Sequence, residues 1–172
     1  MTAAQGYVDR PFGALMFDEL EDYEALIGGL SEYIANEESV GVAYHNRALA
    51  YWEIGKIEEA LRDFGEAETR LPQHYMPSQV KGMLLEKLGR QEEALTALDR
   101  AVSIGPNEVT ARRTRALLLV SMGRLKDSLD DFNHAIQLAP SFQRTIQDRD
   151  KVLSQLNCPR VLTDKKWWQV WK

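Results

Sequence analysis

Between residues 41 and 140 the apolar side chains recur three and four positions apart, with polar side chains between them. This spacing places the apolar side chains on one side of an α-helix. Glycine and proline interrupt the pattern at regular intervals. Each glycine suits a left-handed cap that ends one helix, and each proline ends the following helix because proline cannot continue a helix interior. The pattern therefore predicts pairs of amphipathic helices.

These interruptions have a fixed period of 34 residues, which divides the segment into three units, 41–74, 75–108 and 109–142. A period of this size is typical of stacked helical pairs, which usually work by presenting a surface. The residues that keep the period are Gly55, Gly89 and Gly123, then Ala67, Ala101 and Ala135, then Pro72, Pro106 and Pro140.

Small and large residues also alternate in register, which lets two helices approach closely and interlock. In the first helices these are Ala48, Gly82 and Ala116, followed by Tyr51, Leu85 and Leu119; in the second helices they are Ala60, Ala94 and Ser128, followed by Phe64, Leu98 and Phe132. With these marks, residues 41–140 resemble the tetratricopeptide repeat family. The resemblance implies an all-α, right-handed solenoid of helical hairpins with three repeats.

The segments on either side are predicted to cap the stack. Residues 1–40 form a diverged half-repeat with a helix over 15–37, and residues 141–157 form a capping helix that begins near Ser141. One side of the first helix is apolar, with Tyr23, Leu26, Leu30, Tyr33 and Ile34. On the capping helix Phe142, Ile146, Leu153 and Leu156 are expected to dock on the third unit, while Asp148, Arg149, Asp150 and Lys151 face water.

A basic residue stands at the same place in each first helix, at Arg47, Lys81 and Arg115. Asp63 and Asp131 occupy matched places on the second helices of the first and third units. We therefore interpret the basic positions as partners in ion pairs within a unit, each worth ~0.2–1 kcal/mol if partly exposed. The second unit has Ala97 instead of the aspartate and lacks the pair.

Net charge is −5 and argues against nucleic acid as the main ligand. The charge is unevenly spread, with −8 over residues 1–40 and +4 over residues 141–172. Two oppositely charged solvated ends and head-to-tail association both fit this distribution. The single cysteine, Cys158, fits a reducing compartment. No apolar run is long enough for a secretion signal or a membrane span, so we expect a cytoplasmic protein.

The sequence shows no arrangement of residues that predicts catalysis. It has no phosphate-binding glycine loop and no HExxH motif, and its three histidines, His45, His74 and His134, lie on different predicted elements. We therefore expect no enzyme activity, no metal site and no cofactor.

The family resemblance implies a concave surface lined by the first helices, and this is the candidate binding site. Its residues are His45, Asn46, Leu49, Trp52, Met76, Gln79, Val80, Met83, Arg113 and Leu117. The mostly apolar floor suits a helix or a short apolar peptide, with Asn46, Gln79 and Arg113 orienting it. The basic clamp by which chaperone-binding members hold a terminal carboxylate is not matched here. The prediction is an adaptor or chaperone-like module, with masking of a partner as one version.

The last residues, 158–172, form an aromatic and basic tail with Trp167, Trp168 and Trp171. Exposed aromatic surface of this extent usually has a purpose. The tail either folds back on the stack, inserts into a neighbouring molecule or partner, or lies at a membrane surface with its flanking lysines. The second of these gives the alternative function, a structural subunit that forms homo-oligomers through its tail and its charged ends.

Overall fold

The computed structural model of the protein describes residues 20–36 and 40–157, which form eight α-helices and no strand. The helices are α1 Leu20–Asn36, α2 Gly41–Glu53, α3 Ile57–Arg70, α4 Met76–Lys87, α5 Gln91–Ile104, α6 Val109–Ser121, α7 Leu125–Leu138 and α8 Gln143–Asn157. Helices α2 and α3, α4 and α5, and α6 and α7 pack as three hairpins, and each hairpin contacts the next. The all-α stack of helical hairpins is confirmed.

Each hairpin turns at the glycine that the period predicted. Gly55, Gly89 and Gly123 have φ values of 75°, 73° and 75°. This left-handed conformation strains any residue with a Cβ atom, which explains why glycine stands at all three turns. The second helices end at Arg70, Ile104 and Leu138, two residues before each proline.

The alternation of small and large residues forms the core. At every small position of the pattern the side chain, or the glycine itself, is buried, and Phe64, Leu98 and Phe132 are fully buried beside them. Gly82 shows how closely the helices approach: a Cβ atom there would lie 2.7 Å from Leu98 Cγ and 3.2 Å from the Ala94 carbonyl oxygen. The hairpins are therefore held by short interhelical distances that larger side chains would prevent.

The predicted ion pairs within the first and third units are present, but they are more buried than we expected. Arg47 donates to Asp63 at 2.6 and 2.9 Å, and Arg115 donates to Asp131 at 2.6 and 2.7 Å. Both aspartates are buried, and Asp131 is only 2% exposed. The stabilisation of ~0.2–1 kcal/mol expected for partly exposed ion pairs is therefore too low for these two pairs. Removing one partner would leave a buried charge.

The second unit uses a different carboxylate, which comes from the unit before it. Lys81 Nζ lies 2.9 Å from Glu68 Oε2, and the Ser78 hydroxyl donates to Glu68 Oε1 at 2.7 Å. Glu68 belongs to α3, whereas Lys81 and Ser78 belong to α4. In units one and three the basic residue joins the two helices of its own unit, and Arg115 also reaches Asp99 of the preceding unit at 2.8 Å; in unit two Lys81 makes only the contact with the preceding unit among the ion pairs of the described residues.

Helix α1 packs against α2 through its predicted apolar side. Leu26 and Leu30 are buried against Val40, Ala43 and Ala50. The other predicted apolar residues, Tyr23, Tyr33 and Ile34, pack around this cluster. Residues 1–19, which complete the predicted N-terminal half-repeat, lie outside the described residues.

Helix α8 packs on α6 and α7, but the prediction of its docking side was wrong. Thr145 and Val152 are the buried residues of α8. Three of the four residues expected to dock remain exposed, namely Phe142 at 37%, Leu153 at 37% and Leu156 at 36%, and Ile146 is half-buried. The four apolar residues do lie on one side of α8. That side points about a quarter turn away from the third unit, because Ile146 and Leu153 each follow a buried residue and successive helical residues differ in direction by about 100°.

Candidate functional site

The first helices of successive units lie side by side and form one surface, here called the first-helix face. Helix α4 packs against α6, and α6 packs against α8. Helix α2 joins the row through a contact with α4, because the ammonium group of Lys87 lies 4.6 Å from the centre of the Trp52 ring. The structure therefore brings together residues of units that are far apart in the sequence.

Three contacts connect these helices, and the partners are 35 residues apart in each. They are the cation–π contact between Trp52 and Lys87, the hydrogen bond from Gln79 Nε2 to Thr114 Oγ1 at 3.3 Å, and the ion pair between Arg113 and Asp148 at 2.6 Å. Counting 34 residues from a position on one first helix gives the equivalent position on the next first helix. Counting 35 residues gives the position beside it, whose side chain points back towards the preceding first helix. These contacts fix the spacing of the face.

The predicted apolar residues of the site are partly accessible. Leu49, Trp52, Met76, Val80 and Leu117 are half-buried, while Met83 is 37% exposed. Leu49, Trp52 and Val80 pack beneath the face against the core of the first hairpin, and Leu117 packs against Ala116 and Phe132. Met83 offers the most exposed apolar side chain of the predicted site, and a flexible thioether adapts to differently shaped ligands.

The polar residues of the predicted site are mostly buried or paired within the chain. His45, Asn46 and Gln79 are buried, with His45 only 1% exposed. Arg113 is accessible, but its guanidinium donates to Asp148 Oδ2 at 2.6 and 3.0 Å. The expectation that Asp148 faces water was therefore wrong as well. Gln79 and Arg113 thus each use a polar group in a contact with the next first helix.

His45 is a core residue whose ring lies edge-on to Phe64, with the ring centres 5.5 Å apart. Burial, and to a lesser extent the nearby His74, lower the pKa of His45 from 6.5 to about 3. The imidazole is therefore neutral in the folded protein at any pH above that value. In the unfolded chain it takes up a proton near pH 6.5, so acid favours unfolding.

We expect the free energy of unfolding to fall by about 2 kcal/mol between pH 7 and pH 5 because of His45 alone. The unfolded chain binds a proton in this window and the folded chain does not. Urea unfolding at the two pH values measures the change, which His45→Gln should remove and His134→Gln, on α7, should leave in place. An equal pH dependence in the His45→Gln variant would contradict the assignment.

Glu86 is a feature of the first-helix face that the sequence analysis did not single out. Its side chain is half-buried, and burial raises its pKa. Among residues 20–36 and 40–157 no basic side chain forms an ion pair with it. In the repeat, Glu86 occupies the place of Trp52 one unit later. A carboxylate that is partly removed from water next to an apolar floor favours a ligand that carries a positive charge.

The sequence contained a signal for the contacts between first helices that we did not use. Comparing each first helix with the next at an offset of 35 residues, rather than 34, pairs Trp52 with Lys87 and Arg113 with Asp148. Both are complementary combinations, an aromatic ring with a cation and a cation with a carboxylate. The missed residues Lys87 and Asp148 would have been found this way.

Within the described part of the chain, no three His, Cys, Asp or Glu side chains come together in a way that would hold a metal ion. None of the helices described is both long enough and apolar enough to span a bilayer. Trp167, Trp168 and Trp171 of the tail, and Cys158, lie outside the described residues.

The fold and the first-helix face define a helical repeat protein, and comparison with known sequences identifies its family. Profiles described as tetratricopeptide repeat match residues 45–109 and residues 84–157. The chain belongs to the tetratricopeptide repeat family, as the spacing of its small and large residues indicated. A comparison with curated proteins gave no match.

Solved structures of low sequence identity share the fold. The first repeat domain of Spaghetti (RPAP3), bound to the HSP90 peptide SRMEEVD, has a TM-score of 0.63 and 16% identity, and the match covers 67% of this chain and 92% of that chain. MamA 41-end from Desulfovibrio magneticus RS-1 has a TM-score of 0.67 and 20% identity, and the match covers 83% of this chain and 88% of that chain. YrrB, described as having an unusual peptide-binding site, has a TM-score of 0.65 and 20% identity, and the match covers 80% of this chain and 71% of that chain.

Proposed function

We propose that the protein binds a segment of another protein, noncovalently, on the first-helix face. The observation that carries this proposal is the exposed Met83 side chain among the half-buried Leu49, Trp52 and Val80. Such a surface gains from covering apolar area with an apolar partner. One structurally similar repeat protein is bound to a peptide, and another is described as having a peptide-binding site, which supports the same kind of role.

The proposed segment is amphipathic and carries a basic residue. Its apolar side chains would cover Met83 and the ring of Trp52, and its basic side chain would face Glu86, the half-buried carboxylate without an ion pair among the described residues. The ring of Trp52 already carries Lys87 on one side. In this proposal Glu86 and Lys87 orient the segment, and Asn46, Gln79 and Arg113 do not.

An adaptor, a chaperone-like protein and a protein that masks its partner would all bind a segment in this way. The three roles differ in what the segment does when it is not bound. We propose that binding takes place in the cytoplasm, supported by the single cysteine, which gives the chain no internal disulfide. We propose no catalytic step, because contacts of this kind need only shape and charge complementarity.

Photocrosslinking from the first-helix face tests the proposal. With a photoreactive phenylalanine analogue in place of Met83, irradiation of the cells that contain the protein should join it to a partner, and mass spectrometry should identify the joined segment. The same analogue in place of Leu138 is the control, because Leu138 is 38% exposed but lies at the end of a second helix.

Affinity for the identified segment then gives the size of the effect. Met83→Glu should weaken binding by about 30-fold, the equivalent of a hot-spot loss of ~2 kcal/mol, while Leu138→Glu should not change it. Glu86→Gln should weaken binding and reduce its salt dependence. A partner joined only from position 138, or bound equally well by the Met83→Glu variant, would place the binding site on another face.

A further inference from the structure

Helix α8 occupies the place of the first helix of a fourth repeat unit. The residues that dock each first helix on the unit before it recur every 34 residues, and all of them are buried. They are Ala43, Pro77, Ala111 and Thr145 in one row, and Ala50, Leu84, Leu118 and Val152 in the other. Because Thr145 and Val152 continue both rows, α8 continues the stack in register, where a capping helix of unrelated geometry would not.

A first helix in this position has another side, which packs against the second helix of its own unit. In the second unit that contact is made by Leu85, which packs with Ala94 and Leu98 of α5. One period later Leu119 holds the same place, and two periods later Leu153 does. Leu153 is 37% exposed, and no helix of residues 20–36 or 40–157 covers it in the way that α5 covers Leu85.

This open side of α8 is apolar along its length. Phe142, Ile146, Leu153 and Leu156 are spaced four, seven and three residues apart, which puts them on one stripe of the helix. Its apolar spacing is that of a docking face. Since Thr145 and Val152 make the contact with the third unit, the stripe is left for a different element.

The chain that follows α8 contains the pattern of a second helix. Second helices carry a small residue, a large apolar residue four places later and a small residue three places after that, as in Ala60, Phe64 and Ala67. Residues 160–172 repeat these spacings with Thr163, Trp167 and Val170. Pro159 precedes them, and proline is favoured in the first turn of a helix.

Thr163, the first residue of this pattern, lies one residue later than the period of 34 predicts. The length of α8 explains the difference. Helix α6 ends at Ser121, whereas α8 runs to Asn157, two residues further in the repeat. A longer first helix starts the turn later and moves the second helix along the sequence. The ion pair of units one and three is not repeated, because Lys166 stands at the aspartate position and Arg149 pairs with Asp150 at 2.8 Å.

We propose that residues 160–172 form the second helix of a fourth repeat unit and pack, within the same chain, on the open side of α8. The contact is apolar: Trp167 and Val170 cover Leu153 and Ile146, and Trp171 reaches the start of the stripe at Phe142. Connection through a short turn gives the tail a high effective concentration at α8, which favours its own chain over a second copy.

Cysteine labelling in the full chain tests the proposal. In a Cys158→Ser background, Leu153→Cys reports on the stripe, and Ser154→Cys, an exposed position on the neighbouring side of α8, is the control. Deleting residues 160–172 should speed maleimide labelling at position 153 about tenfold through loss of protection, and should leave labelling at position 154 unchanged. Circular dichroism checks that the shortened chain remains folded.

A pair of variants in the intact tail distinguishes specific packing from the mere presence of the tail. Val170→Glu should speed labelling at position 153 as the deletion does, whereas Gln169→Glu, on the opposite side of the proposed helix, should not. Equal labelling with and without the tail would overturn the proposal. Protection that rises with protein concentration, together with a dimer by light scattering, would also overturn it, since the tail would then cover a second copy.

Discussion

Replacing Ala94 with glutamate should abolish the cooperative unfolding transition of the whole stack. Ala94 is fully buried on α5, packed with Leu85 and Leu98, and its carbonyl oxygen lies 3.2 Å from the point where a Cβ atom on Gly82 would stand. A glutamate there has no room and no basic partner, and burying an unpaired carboxylate costs several kcal/mol. That loss is comparable to the total stability of a small domain, ~5–15 kcal/mol.

Thermal unfolding followed by circular dichroism measures this effect, with Thr96→Glu as the matched control. Thr96 lies two residues further along α5 and is exposed. The same new charge on the solvent side should shift the free energy of unfolding by less than about 0.5 kcal/mol. A midpoint for Ala94→Glu within a degree or two of the unmodified protein would mean that α4 and α5 do not pack as described.

The substitution Asp131→Asn should lower the free energy of unfolding by about 3 kcal/mol, which is the low end for breaking a buried ion pair. Asp131 accepts hydrogen bonds from Arg115 and from Arg112, the latter at 3.1 Å. Without the negative charge, two largely buried guanidinium groups lose their common partner. Asp99, which lies 2.8 Å from Arg115, limits the loss because it still holds one of the two.

Urea unfolding should separate this buried aspartate from an exposed one on the same helix. Asp127 also pairs with an arginine, Arg124 at 2.8 Å, but its side chain is 53% exposed. Asp127→Asn should therefore change the free energy of unfolding by less than about 1 kcal/mol, as exposed pairs do. If the two substitutions had equal effects, burial would not be what makes the Asp131 contact strong.

The hairpins could be predicted from the sequence because their determinants are local. The left-handed turn at Gly55 and the small residues Gly82 and Ala94 each act within one unit, and the period repeats them three times. Docking of α8 was predicted on the wrong side, because an apolar stripe shows that a helix has a partner but does not show which one. The buried side of α8 includes Thr145, a polar residue that hydrophobic patterning does not mark.

The candidate site was predictable only in part, for a related reason. The family resemblance places Leu49, Trp52 and Met83 on the first helices, and the structure puts them on one face. Whether a polar side chain on that face is free depends on the neighbouring unit, as Arg113 and Asp148 show. Sequence positions within one unit do not contain that information, whereas comparison at an offset of 35 residues does.

The contacts of the first-helix face join only adjacent helices, and this gives the stack a particular mechanical character. Bending the molecule by a small angle at each junction strains the contacts between adjacent units, such as that between Trp52 and Lys87 and the packing of Leu84 on Phe64, and leaves the contacts within each hairpin in place. The face is therefore compliant along its length while each unit stays rigid. Its curvature can adjust to a straight or a bent segment without any unit unfolding.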